Sequence, residues 1–191
     1  MKLLVHLLVL AGLSGLTGAA IVGHKSANLN GVRGADSSAA VAAPVNDIAD
    51  LLGQATIKRS APVEVSEADL NRFLLATLGG RQSGRSARFA TFEKVVVDFE
   101  PGSAVVTLCW TLDGHRTTTS LELRVADEKG EHRFEIVRGA YGRMAVARGF
   151  LTPVMPAYEA LLKALGPEVK LLLNMTKIHF AKDKLVLDPR F

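Results

Sequence analysis

The sequence predicts an α+β fold, an antiparallel β-meander packed against two short helices and preceded by an N-terminal apolar helix. Three patterns carry that expectation. Between Val95 and Val137, apolar residues recur at alternate positions in four consecutive runs separated by turn residues. On either side, at Ser66–Leu78 and Pro156–Leu165, the apolar spacing changes to three and four. Ahead of both, Leu3 to Val22 is apolar apart from His6 and small residues, with Lys2 before it and His24-Lys25 after it.

At a rise of ~1.5 Å per residue, a helix over Leu3 to Val22 is roughly 30 Å long, enough to cross the hydrocarbon of a bilayer. The same segment fits a cleaved secretory signal. Lys2 would be its charged end, Leu3 to Leu13 its apolar core, and Thr17-Gly18-Ala19 or Gly18-Ala19-Ala20 its small-residue cleavage motif. Ile21 and Val22 prolong the apolar run past either motif, which favours an uncleaved anchor. Both readings place the remainder outside the cytoplasm, membrane-anchored on the periplasmic or cell-surface side, or secreted if the leader is removed. Residues 1–25 are thus read as signal peptide or membrane anchor, 26–62 as a flexible tether and 63–191 as the α+β domain.

The stretch 26–62 is rich in Ala, Ser, Asn and Gly, with one short helical pattern at Asn46–Leu52 where Ile48, Leu51 and Leu52 share a face. The domain opens at Val65-Ser66-Glu67-Ala68-Asp69. There Ser66 can cap the amide of Asp69 while the Asp69 carboxylate reaches back, and acidic charge favours a helix start. Leu70, Phe73, Leu74 and Leu78 form the buried stripe, and Gly79-Gly80 stops the helix. Val95, Val97 and Phe99 then alternate until Pro101-Gly102. Ala104, Val106, Leu108, Trp110 and Leu112 follow on one face of a second strand, and Asp113-Gly114 marks a two-residue hairpin.

The third strand, from His115 to Val125, carries Thr117, Thr119, Leu121, Leu123 and Val125 on one face. Thr118, Ser120, Glu122 and Arg124 lie on the other, which reads as solvated. His132 to Val137 returns as a fourth strand. Gly139, Gly142 and Gly149 mark a bend, and Pro153 and Pro156 suit a helix entry. Tyr158, Leu161, Leu162 and Leu165 continue that helix to Gly166-Pro167. Glu168 to Leu173 fits an extension of it or a strand, and Lys177 to Phe180 with Lys184 to Leu187 forms a closing hairpin.

The chemistry-bearing residues are sparse. The five histidines, His6, His24, His115, His132 and His179, have no zinc-ligand spacing, so no metal is expected. There is no phosphate loop, dinucleotide fingerprint or nucleophile elbow, so no catalytic set, no enzyme activity and no cofactor are expected. Glu64 with Glu67, and Glu128 with Glu131, fall at turns or helix starts where solvated charge is the default. Cys109 is the one cysteine, so no internal disulfide forms, and its place between Leu108 and Trp110 makes it a small packing residue. A net charge of +4 with basic residues interspersed among acidic ones gives no nucleic-acid footprint. The exception is Arg81, Arg85 and Arg88, whose loop would meet an anionic surface in its functional reading.

The leader, the tether, Val65-Ser66-Glu67-Ala68-Asp69-Leu70-Asn71-Arg72-Phe73-Leu74, and Gly142-Arg143-Met144-Ala145-Val146 followed by Pro153 and Pro156 resemble the YpmS-like family of membrane-anchored bacterial proteins. The likeness spans about Val65 to Leu187. The Ala-rich tether and the three arginines after Gly80 depart from it. The resemblance implies an extracytoplasmic domain, distantly similar to tubular sheet-and-helix folds that hold lipids, and implies no catalytic residues.

The expected function is accordingly that of an exported, membrane-tethered, non-enzymatic domain binding a lipid or other apolar ligand between sheet and helices. Leu70, Phe73, Leu74, Val106, Leu108, Trp110, Leu121 and Leu123 would be its lining. The expected partner is the membrane, with lipid or an envelope protein. The alternative is a structural or assembly partner in a cell-envelope complex, engaged through a sheet edge or the arginine loop.

Overall fold

The computed structural model describes residues 10–11, 14, 17–18, 20–35, 48–58, 61–78, 90–128 and 131–189. Within them the fold is α+β, built from two antiparallel sheets and a few short helices. Helix α1 (Ile48–Lys58) precedes strand β1 (Val63–Ser66) and helix α2 (Glu67–Leu78). The meander follows as β2 (Ala90–Glu100), β3 (Ser103–Leu112), β4 (His115–Glu128) and β5 (Glu131–Tyr141). A short β6 (Met144–Val146) and a 3-10 turn (Arg148–Leu151) lead into α3 (Met155–Ala164) and α4 (Gly166–Leu173), before the hairpin of β7 (Lys177–Ala181) and β8 (Lys184–Asp188).

The four-stranded meander is present and is widened by β6, giving one sheet in the order β2-β3-β4-β5-β6. Its turns follow the local chemistry. Asp113 and Gly114 both take positive φ, 47° and 77°, the geometry of a two-residue hairpin whose twist matches its strands. Irregular register at Phe92/Lys94 and at Glu122/Leu123 bends the two longer pairings.

The second sheet runs β1-β8-β7, with Val63 opposite Leu187 and Ser66 opposite Lys184. Strand β1 has no counterpart in the sequence reading. Four residues are too few for an alternating pattern, and Val-Glu-Val-Ser reads as the lead-in to a helix. The cap at Ser66 forms in part as expected, because the Asp69 amide donates to Ser66 Oγ at 3.1 Å. The Asp69 carboxylate, though, accepts from the Ser66 hydroxyl (2.6 Å), while the Glu67 amide donates to the Asp183 carbonyl of the β7–β8 turn at 3.0 Å. The cap therefore binds helix to second sheet.

Register fixes which residues share the inner face of the large sheet. Phe99, Ala104, Leu123 and Ile136 form one row across β2 to β5, and Val97, Val106, Leu121 and Gly139 the next. Phe73, Leu74 and Leu78 of α2, Ile48, Leu52 and Ala55 of α1, Val65, Phe180, Leu185 and Leu187 of the small sheet, and Leu151 close over these rows as one core. Leu151 sits against Gly139, where a Cβ would collide with its methyls. The segment Glu168–Leu173, which fits helix or strand by pattern, is helical.

Candidate functional site

All eight residues expected to line an apolar site converge. Phe73, Leu74, Leu108 and Leu121 are buried in the core, and Leu70, Val106, Trp110 and Leu123 are half-buried against it. Trp110 meets Phe92 edge-on, with ring centroids 5.3 Å apart, a favourable aromatic arrangement. Val125, Phe134 and Ile136 extend the half-buried surface along β4 and β5.

Helices α3 and α4 bury few side chains. Tyr158 is the one buried side chain of α3, and α4 has none. Leu161, Leu165, Leu171 and Leu172 touch the core yet stay half-exposed. Tyr158 is the fixed point, because its hydroxyl donates to the Thr119 carbonyl at 2.7 Å. Burial raises that phenol well above its ordinary pKa, so it stays a protonated donor.

The polar residues that sequence reasoning missed lie on α2, in the same buried stripe as Leu74 and Leu78. Glu67 was expected to be solvated; it is 1% exposed, and Asn71 is 2% exposed. Glu67 accepts from the Phe99 amide at 2.8 Å and the Arg33 amide at 2.7 Å. Asn71 accepts from the Val97 amide at 2.7 Å and donates to the carbonyls of Val97 and Arg33, each at 2.8 Å. One helical turn separates the two residues on α2 and one strand repeat separates Val97 from Phe99, so the helix supplies the hydrogen bonds a neighbouring strand would give to edge strand β2. The only advance signal was Glu and Asn at positions four apart.

Beside them, burial and then the charges of Glu67 and Glu100 push the Asp98 carboxyl up to about 6. Arg33 pairs with Asp183 at 3.0 Å on the same side. These groups secure backbone, and among the described residues no group of three or more His, Cys, Asp or Glu is placed to hold a metal ion. His132 Nε2 lies 3.0 Å from the Thr176 carbonyl, while His179 and His115 are exposed.

The outer face of the large sheet corrects a second expectation. Thr118, Ser120 and Glu122, read as solvated, are buried, as are Val96, Thr107 and Cys109. Residues 23–35, the end of the segment read as leader and the start of the stretch read as flexible tether, lie along this face as a strap. The Ala27 amide donates to Thr118 Oγ1 at 2.7 Å, and at the other end Lys94 Nζ donates to the Ala35 carbonyl. Cys109 is paired in register with both Lys94 and Thr118, so it lies between the two attachments and is 1% exposed, and burial pushes its thiol pKa up. Glu122 is neutralised by Arg138. Glu93 would be raised by burial, but bonds from Thr111 and Arg116 outweigh that and hold its carboxyl below the ordinary range.

Arg81, Arg85 and Arg88 lie outside the described residues, as does most of the leader. Among the described residues no helix is long and apolar enough to cross a membrane. With this geometry in hand, comparison with family models, curated proteins and solved structures finds no match.

Proposed function

We propose that this chain is an exported, membrane-tethered, non-enzymatic domain that binds a lipid or another apolar ligand between the large sheet and helices α3–α4. One observation carries the reading. Leu70, Val106, Trp110 and Leu123 pack against the core yet stay half-buried, and the leucine-rich helices α3 and α4, packed on the same core, sink a single side chain, Tyr158. Each apolar Å² left exposed forgoes roughly 25 cal/mol. An apolar ligand entering under α3–α4 recovers that free energy and needs no charged partner. The family resemblance in layout supports the same assignment, and the apolar leader supports the membrane location.

The test is native mass spectrometry of the chain purified without detergent, paired with titration of Trp110 fluorescence by a long-chain fatty acid. The expected result is a bound lipid adduct and a saturable blue shift that Leu123→Asp abolishes. Bare protein together with unchanged Trp110 emission overturns the assignment.

A further inference from the structure

The strap ends at a surface that the proposed function does not use. The β3–β4 and β5–β6 hairpins lie at one end of the large sheet, since Leu112 pairs with His115, and Thr119 near the start of β4 pairs with Tyr141 at the end of β5. Residues 20–24 are helical, and that helix is bolted to both hairpins. The rings of His24 and His115 stand 5.3 Å apart. Ser26 Oγ donates to the Arg116 carbonyl at 2.7 Å, and Arg143 Nε donates to the Ser26 carbonyl at 3.2 Å. Gly142, at φ +55°, lies so close to the Gly23 and Lys25 carbonyl oxygens that a Cβ there would collide with both. No side chain fits between hairpin and strap.

Beyond this clamp every described residue from Leu10 to Val22 is exposed, and Leu10 and Ile21 are 66% and 56% exposed. The described residues of this helix are exposed, and its last turn meets the domain, where the Val22 carbonyl accepts from the Arg143 amide at 3.4 Å. Around its foot, Lys25, Arg116, Arg143 and Arg148 are exposed, against the carboxylates of Asp113 and of Glu93, the latter bound by Arg116. Two large apolar side chains share this end. Leu112 is 47% exposed beside the β3–β4 turn, and Phe150 is 71% exposed, its carbonyl accepting from the Tyr141 hydroxyl at 2.8 Å. Exposed apolar side chains interleaved with arginine and lysine match the interfacial zone of a bilayer, where rings and aliphatic groups enter the headgroup layer and cations meet anionic lipid.

Resting on the membrane-tethered reading, we infer that this end is a fixed membrane-facing surface for anionic phospholipid, with Lys25, Arg116 and Arg143 at the headgroups and Leu112 and Phe150 dipping between them. The strap mounts the domain in one orientation. The β7–β8 turn at Lys182 then points away from the bilayer. Asp183 in that turn binds the Phe99 carbonyl near the far end of β2, about 30 Å along the strand from Ala90, the partner of Leu112.

The experiment is spin labelling of the full chain in vesicles of phosphatidylcholine and phosphatidylglycerol. Labels are placed at Leu10→Cys, Leu112→Cys, Phe150→Cys and Lys182→Cys in a Cys109→Ala background, and accessibility to oxygen is compared with accessibility to a nickel chelate. Labels at 10, 112 and 150 are expected to be oxygen-rich and nickel-poor, and the label at 182 the reverse. Removing phosphatidylglycerol, or combining Lys25→Gln with Arg143→Gln, is expected to raise nickel accessibility at 112 and 150 at least about twofold without changing position 10. Hydrogen exchange of the unmodified chain, slowed at 112–118 and 141–144 by the anionic vesicles, repeats the test without substitutions. A buried label at 10 with 112 and 150 as nickel-accessible as 182 overturns the fixed mount while leaving the tether intact. An aqueous label at 10 overturns the tether and the mount together. Equal depth in phosphatidylcholine alone overturns the role of the cations.

Discussion

Helix α2 and the α3–α4 pair pack against the same apolar core, yet α2 sinks Glu67, Asn71, Phe73, Leu74 and Leu78, whereas α3 and α4 together sink only Tyr158. The contrast runs against composition. The firmly held helix is the one whose contacts include a buried carboxylate and amide, and the loosely held pair is rich in leucine. Polar groups matched to fixed backbone partners set position and register, because misplacing them strands a buried donor or acceptor; apolar contact alone tolerates sliding. One wall of the domain is therefore keyed, and the other is held by apolar contact and the one hydroxyl of Tyr158.

The largest expected break in this comparison is Asn71→Ala. It leaves the buried amide and carbonyl of Val97 without their partner, and urea unfolding should show a loss of about 3 kcal/mol. Leu172→Ala on α4 should cost under about 1 kcal/mol by the same measurement, since its side chain is already half in water. Equal losses would erase the distinction between the walls.

Next in size is Tyr158→Phe, which removes the hydroxyl bond to Thr119 and should cost about 1–2 kcal/mol. Native-state hydrogen exchange should then quicken across residues 155–173 and stay unchanged in α2. Uniform acceleration would mean that the two walls open as one unit.

The smallest effect sharpens the keyed side. Folding raises the Asp98 carboxyl from 3.8 to about 6, so the folded state binds more protons than the unfolded state in that window. Stability should therefore fall as pH rises from about 4 to 6. Asp98→Asn should flatten that slope and raise Tm at neutral pH by about 2–4 °C, the equivalent of about 1 kcal/mol once solvent screening at this partly exposed group is allowed for. An unchanged slope would show that neither burial nor the charges of Glu67 and Glu100 raise the Asp98 carboxyl.

The meander was legible because alternation over ten or more residues and the Asp113-Gly114 and Pro101-Gly102 turns act locally. The eight apolar residues were legible for the same reason, since one face of each strand and one stripe of α2 must meet somewhere. Glu67 and Asn71 were illegible as keys because their partners lie at Val97, Phe99 and Arg33, on segments distant in sequence. The strap was hidden by its composition. Ala, Ser, Asn and Gly read as loop, and this segment is held by backbone amides and carbonyls that no side-chain pattern announces. Strand β1 was too short to register a period, and its pairing with β8 joins residues at opposite ends of the domain.

The close approach at Gly142 has a mechanical meaning. Force applied N-terminal to Gly23 would enter the domain at Gly23–Ser26, where the hairpin of β5 and β6 and the start of β4 grip the chain, and would continue through the Arg33 amide into α2. The load would be shared with β4 and β5, inside the sheet, so a pull on the N-terminal segment would stress the meander first.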